Sequence, residues 1–344
     1  MNRSLVAFSL LLLSGTSPAL ADDTLTADSI NEAGFTAMVL TSDKNEPAKD
    51  AKAEAPKSEE EKKPNPMLVR LQVLLDRAHA SPGVIDGYPG DNLIKAVRTY
   101  EEMNKLPVDG QIDQPLWDAL LKDQRPAIIT YTITKKDLDQ RFAKRIPNDY
   151  AKLAEMKYLG FTSPSEMLAE RFHMDETLLK TLNPKADFDK AGTEITVADP
   201  STEPAAKVTR VEVVKSEGLL RAYDGAGNLV TAFPATIGSE DNPSPEGELK
   251  VGKIVRDPGY TYNPKKNFKQ GKNDEVLDIP PGPNGPVGNI WIDLSKPTYG
   301  IHGTPEPSKI DKTQSHGCVR LTNWDAATLA DLLEPEIATV HFAQ

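Results

Sequence analysis

One stretch rules out a single continuous core. Residues 45–66 read NEPAKDAKAEAPKSEEEKKPNP and offer no apolar side chain larger than alanine or proline. Such a segment cannot bury enough surface to offset the entropy of ordering it. Pro47, Pro56, Pro64 and Pro66 also interrupt any long helix through its Ala-Lys-Glu middle. The region 22–66 is therefore read as a disordered spacer. A second, shorter break, ADPSTEPAAK at 198–207, sets the last part of the chain apart from what precedes it. The expectation is a multidomain α+β chain, with folded units at 67–125, 126–200 and 208–344.

Ahead of the spacer, Arg3, an apolar run at 5–13 and Ala19-Leu20-Ala21 follow the order of a cleavable secretory signal, residues 1–21. The apolar run is short for a bilayer span. The mature chain is thus expected to be exported, without a membrane span. Compartment bears on the only cysteine, Cys318, because exported cysteines normally come in pairs. Taken alone, it is an inert buried side chain or half of an intermolecular disulfide. The net charge of -11 argues against nucleic acid and against anionic membrane surfaces as partners.

In the first unit, Leu68, Leu71, Val73, Leu74 and Leu75 suit one helix, and Leu93, Ile94, Val97 and Tyr100 suit a second. Leu116, Leu120 and Leu121 suit a third. The connections GVIDGYPGDN and LPVDGQIDQ each hold an Asp-Gly, which permits positive φ in a tight turn. The second unit opens with IITYTITKKDL near residue 128. It closes at 167–197 with helix, turn, helix and a short strand after Gly192. His173 reads as an ordinary helix residue, Trp291 as a core residue, and His79 and His341 have no assigned role.

From residue 208 the character changes to short alternating apolar runs, TRVEVVK, GLLRAYD and LVTAFPATIG, separated by glycine and asparagine turns. This is the habit of a mostly antiparallel β fold. DGAGN at 224–228 is a hairpin loop, and the Gly-Pro segment 280–288 is rigid enough to shape one wall of a site.

A thiol of ordinary pKa is mostly protonated at neutral pH, so a nucleophilic cysteine needs a base or a positive field. His316 sits two residues before Cys318, and His302 lies in TYGIHGTP just after a predicted strand. His302 is free to meet the sulfur from a neighbouring strand, whereas the direction of His316 in a tight turn is open. One cysteine and two histidines also suit a metal, but no fourth ligand and no zinc-type spacing is evident. No metal or cofactor is expected.

These phrases carry family resemblances. HGT at 302–304 followed by SHGCVRL at 315–321 resembles the L,D-transpeptidase signature of the YkuD type, H-x(n)-[ST]-H-G-C-x-[NR]. ATIGSEDNPSPEGELKV and PPGPNGPVG are similar to the turn and loop that the same family places upstream. The first unit, in the order L-Q-x-L-L, G-x-x-D-G-x-x-G and L-x-V-D-G, resembles a peptidoglycan-binding domain. The second resembles a LysM module, two helices on two strands, although the insertion at 137–164 departs from the compact LysM pattern.

The resemblance implies a mostly-β, sandwich- or barrel-like catalytic domain that acts on peptidoglycan in the periplasm of a Gram-negative envelope. Cys318 would attack the diaminopimelate carbonyl of a tetrapeptide stem, expel D-alanine and form a thioester. His302 would be the base, oriented by the carbonyl of Gly303. The amides of Gly317 and Cys318 would hold the oxyanion, Ser315 and His316 would position that cradle, and Arg320, Tyr299 and Thr304 would contact substrate. An amine of a second stem, of a lipoprotein or of another outer-membrane protein would resolve the thioester. Water in that role would make a carboxypeptidase or a hydrolase of wall-protein links, and a retired catalytic domain would leave a wall-binding scaffold. Carbapenems would acylate the thiol.

Overall fold

The computed structural model describes residues 25–40, 63–200, 206–238, 243–266, 268–313, 315 and 317–343. The expected signal at 1–21, most of the spacer and part of the second break lie outside the described residues. The spacer expectation fails for 25–40. Helix α1 (Ala27–Asn31) starts at a capping box between Thr26 and Ser29 and buries Ile30 completely. The Asn31 side chain exchanges two hydrogen bonds with the backbone of Ile128, each 2.9 Å. A few apolar residues docked on larger modules stabilise what composition alone marks as disordered.

Helix α2 (Pro66–Arg77) begins where the last spacer prolines fall: Asn65 caps it and Pro66 fills the first turn, where its missing N–H costs nothing. Helices α3 (Asp91–Met103) and α4 (Gln114–Leu120) complete the three-helix unit around Leu68, Leu71, Val97 and Trp117. The two Asp-Gly turns take the predicted positive φ, +79° at Gly87 and +76° at Gly110.

The second unit opens with β1 (Ile128–Thr132) and α5 (Lys135–Leu138). Helices α6 (Tyr150–Ala154), α7 (Pro164–Arg171) and α8 (Glu176–Leu182) follow. The closing strand β2 (Glu194–Ala198) pairs antiparallel with β1 from Ile128↔Ala198 to Thr132↔Glu194. Helices α7 and α8 cover the pair through Leu168, Leu178 and Leu179. The stretch carrying α6 leaves this core and packs on the last unit.

The last unit has strands β3 (Arg210–Val214), β4 (Leu219–Tyr223), β5 (Leu229–Pro234) and β6 (Gly247–Arg256). A hairpin, β7 (Tyr260–Tyr262) and β8 (Leu277–Ile279), projects from it. Then come β9 (Ile290–Leu294), β10 (Gly300–His302), β11 (Val319–Arg320), helix α9 (Asn323–Leu332) and β12 (Thr339–Ala343). The main sheet runs β11-β10-β9-β6-β12-β3-β4-β5, antiparallel except for β10–β11 and β12–β3. Thr236, just past β5, exchanges two 2.9 Å backbone bonds with Arg320 on β11, so the two ends of the sheet meet. The result is barrel-like, around Val211, Leu220, Ile292, Ile301 and Val340.

The three units share buried contacts. Ala232 on β5 bonds His79 and Ser81 of the helical unit, which covers part of that strand's free edge. His173 is not an ordinary helix residue. It follows α7 at φ +56°, stacks on Trp324 of α9 at 5.2 Å and 10°, and places Nδ1 3.1 Å from Asp76 of α2. One imidazole thus touches all three units. Among the described residues no helix is long and apolar enough to cross a membrane.

Candidate active site

Strand alternation assembles the site. In the parallel pair β10–β11, His302 is opposite Arg320, and in the antiparallel pair β9–β10 it is opposite Trp291. These three share one face, while Ile301, Val319 and Ile292 share the other and are fully buried. Cys318, two residues before Arg320, rises on the His302 face. Both line a cavity of about 420 Å³, together with Ser315, Tyr299, Arg320 and Trp291.

His302 is buried and its Nδ1 donates to the Gly303 carbonyl at 2.6 Å, which leaves Nε2 free to accept a proton. Burial, reinforced by the Arg320 charge, holds its pKa down at about 3. The imidazole is therefore neutral at any working pH. Burial also pushes the Cys318 thiol up, partly opposed by the Gly300 amide and the Arg320 charge. The half-buried thiol points to the Thr298 carbonyl, 3.6 Å from Sγ. Both shifts favour thiol and neutral imidazole over a thiolate–imidazolium ion pair.

Two hydroxyls hold the turn that carries the sulfur. Ser315 Oγ donates to the Cys318 carbonyl at 2.6 Å and accepts from the Gly317 amide at 3.2 Å. Ser244 Oγ donates to the Gly317 carbonyl at 2.9 Å and accepts from the Gly238 amide at 3.0 Å. Gly317 sits at φ +103°, and a Cβ there would meet the Tyr299 ring at 2.9 Å. Of the two amides expected to face an oxyanion, that of Gly317 is already engaged by Ser315. The amide of Cys318 is left for that role.

Arg320 is half-buried, and among the described residues no carboxylate comes within ion-pair distance of it. Burial lowers its pKa, and a partner anion would be welcome there. Tyr299 lines the cavity with the Lys296 ammonium 4.6 Å from its ring centre. Thr304 lies past the end of β10. The strand ends at His302, and Thr304 turns away, giving its amide to Asn323 Oδ1 and accepting from the Glu306 amide. It lines a larger neighbouring cavity of about 670 Å³ instead of the thiol cavity. His316 lies outside the described residues. Gly303 is pinned against α9, where a Cβ would strike Asn323 Oδ1 at 2.2 Å.

Several residues of the site were given no role by the sequence. Trp291 stacks on His302 at 5.7 Å and 19° and is not a core residue. Ser244 belongs to the Ser-Pro-Glu-Gly turn, which could have been read as a positioning element. Tyr150, Tyr260 and Phe268 come from the second unit's insertion and from the β7–β8 hairpin.

A closed sheet that brings a cysteine just before β11 and a histidine on β10 into one cavity suits nucleophilic cysteine chemistry. The L,D-transpeptidase catalytic domain family matches residues 208–341, and the family described as "Putative peptidoglycan binding domain" matches 65–120. The protein named "Putative L,D-transpeptidase YkuD" in Bacillus subtilis is 31% identical over 151 residues, 43% of this chain and 84% of that one. Its namesake in Bacillus licheniformis is 34% identical over 124 residues, 36% of this chain and 59% of that one. "Probable L,D-transpeptidase ErfK/SrfK" of Escherichia coli is 29% identical over 175 residues, 49% of this chain and 56% of that one. The chain belongs to the YkuD family of L,D-transpeptidases.

Proposed function

We propose that this chain is a periplasmic L,D-transpeptidase that rebuilds peptidoglycan stems through a Cys318 thioester. The observation that carries the reading is Cys318 and His302 in one cavity, the imidazole held by the Gly303 carbonyl through Nδ1, beside an arginine that among the described residues has no carboxylate partner. The thiol proton passes to Nε2 as Sγ attacks the diaminopimelate carbonyl, and the Gly303 carbonyl stabilises the imidazolium that forms. The Cys318 amide receives the developing oxyanion. Collapse breaks the C–N bond to D-alanine, whose nitrogen takes the proton from Nε2. An acceptor amine then gives its proton to Nε2, forms the new amide and releases the thiol. General acid-base work of this kind contributes roughly 10²–10⁴ in rate.

The first unit matches a peptidoglycan-binding family, and the β1–α7–α8–β2 arrangement of the second supports a LysM-like origin. In this reading both hold the enzyme on its polymeric substrate, within domain limits of 67–125, 126–200 and 208–344 after export by the signal at 1–21. The acceptor is an amine of a second stem or of an envelope protein. The test is mass spectrometry of wall fragments after incubation with wild type and Cys318→Ala. Diaminopimelate-linked dimers formed only by wild type are expected. Shortened stems instead would mean a carboxypeptidase, and no change would overturn both enzyme readings.

A further inference from the structure

The insertion in the second unit, which carries α6, docks on the catalytic domain. Leu159 donates its amide to the Pro281 carbonyl at 2.8 Å and accepts from the Asn284 amide at 2.9 Å. Gln270 reaches from the hairpin to the Asn148 carbonyl at 2.8 Å and to the Tyr150 amide at 3.3 Å. Leu153 and Leu159 bury themselves against Tyr262 and Ile279 of the hairpin. The catalytic domain is shaped to receive this segment: Gly282 has φ +140°, and a Cβ there would lie 2.3 Å from the Leu159 carbonyl oxygen.

The docking carries Tyr150 into the thiol cavity. Its ring packs edge-on against Tyr260, Tyr262 and Phe268, with centroids 6.1, 5.2 and 5.9 Å away. These contacts fix the ring, while among the described residues the phenol hydroxyl has no hydrogen-bond partner. Arg320 is the other uncommitted donor. Tyr150, Arg320 and Pro286 are shared between the thiol cavity and the larger cavity beside it, so the two donors stand where the cavities meet. The Arg320 charge is near enough to oppose the burial that raises the Tyr150 phenol. A phenol and a guanidinium that line one space, with no protein acceptor for either among the described residues, form a site for an anionic, bidentate oxygen ligand.

We propose that Tyr150, supplied by the insertion, is a substrate-contacting specificity residue that acts with Arg320 to bind the side-chain carboxylate of the donor stem's diaminopimelate. The inference rests on the transpeptidase reading and gives the insertion a role: it completes the donor site, so the catalytic domain does not hold that site alone.

The experiment titrates two stem tetrapeptides, one with the diaminopimelate carboxylate free and one with it amidated, into the full chain carrying Cys318→Ala. It is repeated with Cys318→Ala/Tyr150→Phe, which keeps the aromatic cluster. Loss of one hydrogen bond to a charged group is expected to weaken the carboxylate stem about tenfold and to leave the amidated stem nearly unchanged. Equal weakening of both stems would mark a structural role and overturn the inference, as would no weakening of either while both still bind. If Cys318→Ala binds neither stem and wild type turns over neither, the proposed function fails first and this inference with it.

Discussion

The indole of Trp291 lies almost parallel to the imidazole of His302 across neighbouring strands, ring centres 5.7 Å apart and planes 19° apart. The same indole covers Gly300, where a Cβ would stand 2.6 Å from it. Together with the Nδ1–Gly303 bond, this stack fixes the plane in which Nε2 can meet the sulfur. Trp291→Leu should remove the stack and admit water. Acylation of Cys318 by a carbapenem should slow by roughly tenfold or more, on the scale of a misoriented catalytic group. The rate should also acquire a pH limb as the less buried imidazole titrates closer to its ordinary value. A variant with wild-type rate and profile would show that the indole has no part in orienting the base.

The neutral pair makes its own prediction. His302 is held at about 3 by burial and then by Arg320, so the base is already deprotonated across the working range. The thiol lies above its ordinary value, chiefly through burial. The second-order acylation rate should be flat from roughly pH 5 to pH 7 and climb only where the thiol ionises. Stopped-flow acylation checks this, and an acidic limb centred near the ordinary histidine value would contradict it.

Gly317 answers to two constraints at once, a φ of +103° and a Tyr299 ring 2.9 Å from any added Cβ. Gly317→Ala is expected to fold, since the strain is local, but to displace the Cys318 amide and sulfur and lose at least about a hundredfold in acylation rate. Trimming the ring with Tyr299→Ala in the same chain should relieve the clash but not the backbone strain, so recovery should be partial. Full recovery would mean that sterics alone set the residue.

A buried carboxyl between two units predicts a pH-dependent stability. Burial raises Glu170 to about 8, against the hydrogen bond from Asn323 Nδ2 and with Glu166 pushing the same way. The folded chain holds this proton more tightly than the unfolded chain. Its contribution is therefore complete below the ordinary value of 4.5 and is lost as pH rises through about 8. Glu170→Gln mimics the protonated acid at every pH. Between pH 5 and pH 8.5 the variant should be spared a loss on the order of 2–4 kcal/mol that wild type shows. Urea midpoints at three pH values test this, and parallel losses in the two chains would mean that Glu170 does not titrate there.

What was legible in the sequence follows from how local each constraint is. Cys318, Ser315 and Gly317 lie in one phrase and His302 in another close by, so their chemistry is visible without a fold. The mostly antiparallel strands were legible because alternation and turn residues repeat across 208–344, whereas closure of the sheet was implied only by the family resemblance. Tyr150 reaches the site from a remote segment and nothing in its own neighbourhood marks it, whereas Ser244 sits in a turn that the sequence did mark, but without a role. Trp291 alternates like a core residue, and only the register with His302 shows that it faces the cavity. Thr304 follows the end of the strand at His302, and only the fold shows that it lines the larger cavity beside the thiol.

The ordered stretch at 25–40 gives the sharpest test of where composition misled. Its larger apolar residues, Leu25, Ile30, Phe35, Met38, Val39 and Leu40, are too few to build a core of their own, and an isolated helix as short as α1 is unstable in water. Yet Ile30 is fully buried in the core of the second unit, beside Val69 and Val73 of α2, and Leu40 joins the core of the first. The segment thus ties two units together. Ile30→Ala should lower the unfolding free energy by about 2–4 kcal/mol, the range for emptying a buried aliphatic site. In a disordered spacer the same change would be neutral. Denaturant midpoints of the two chains decide between these outcomes, and equal midpoints would restore the spacer reading for this stretch.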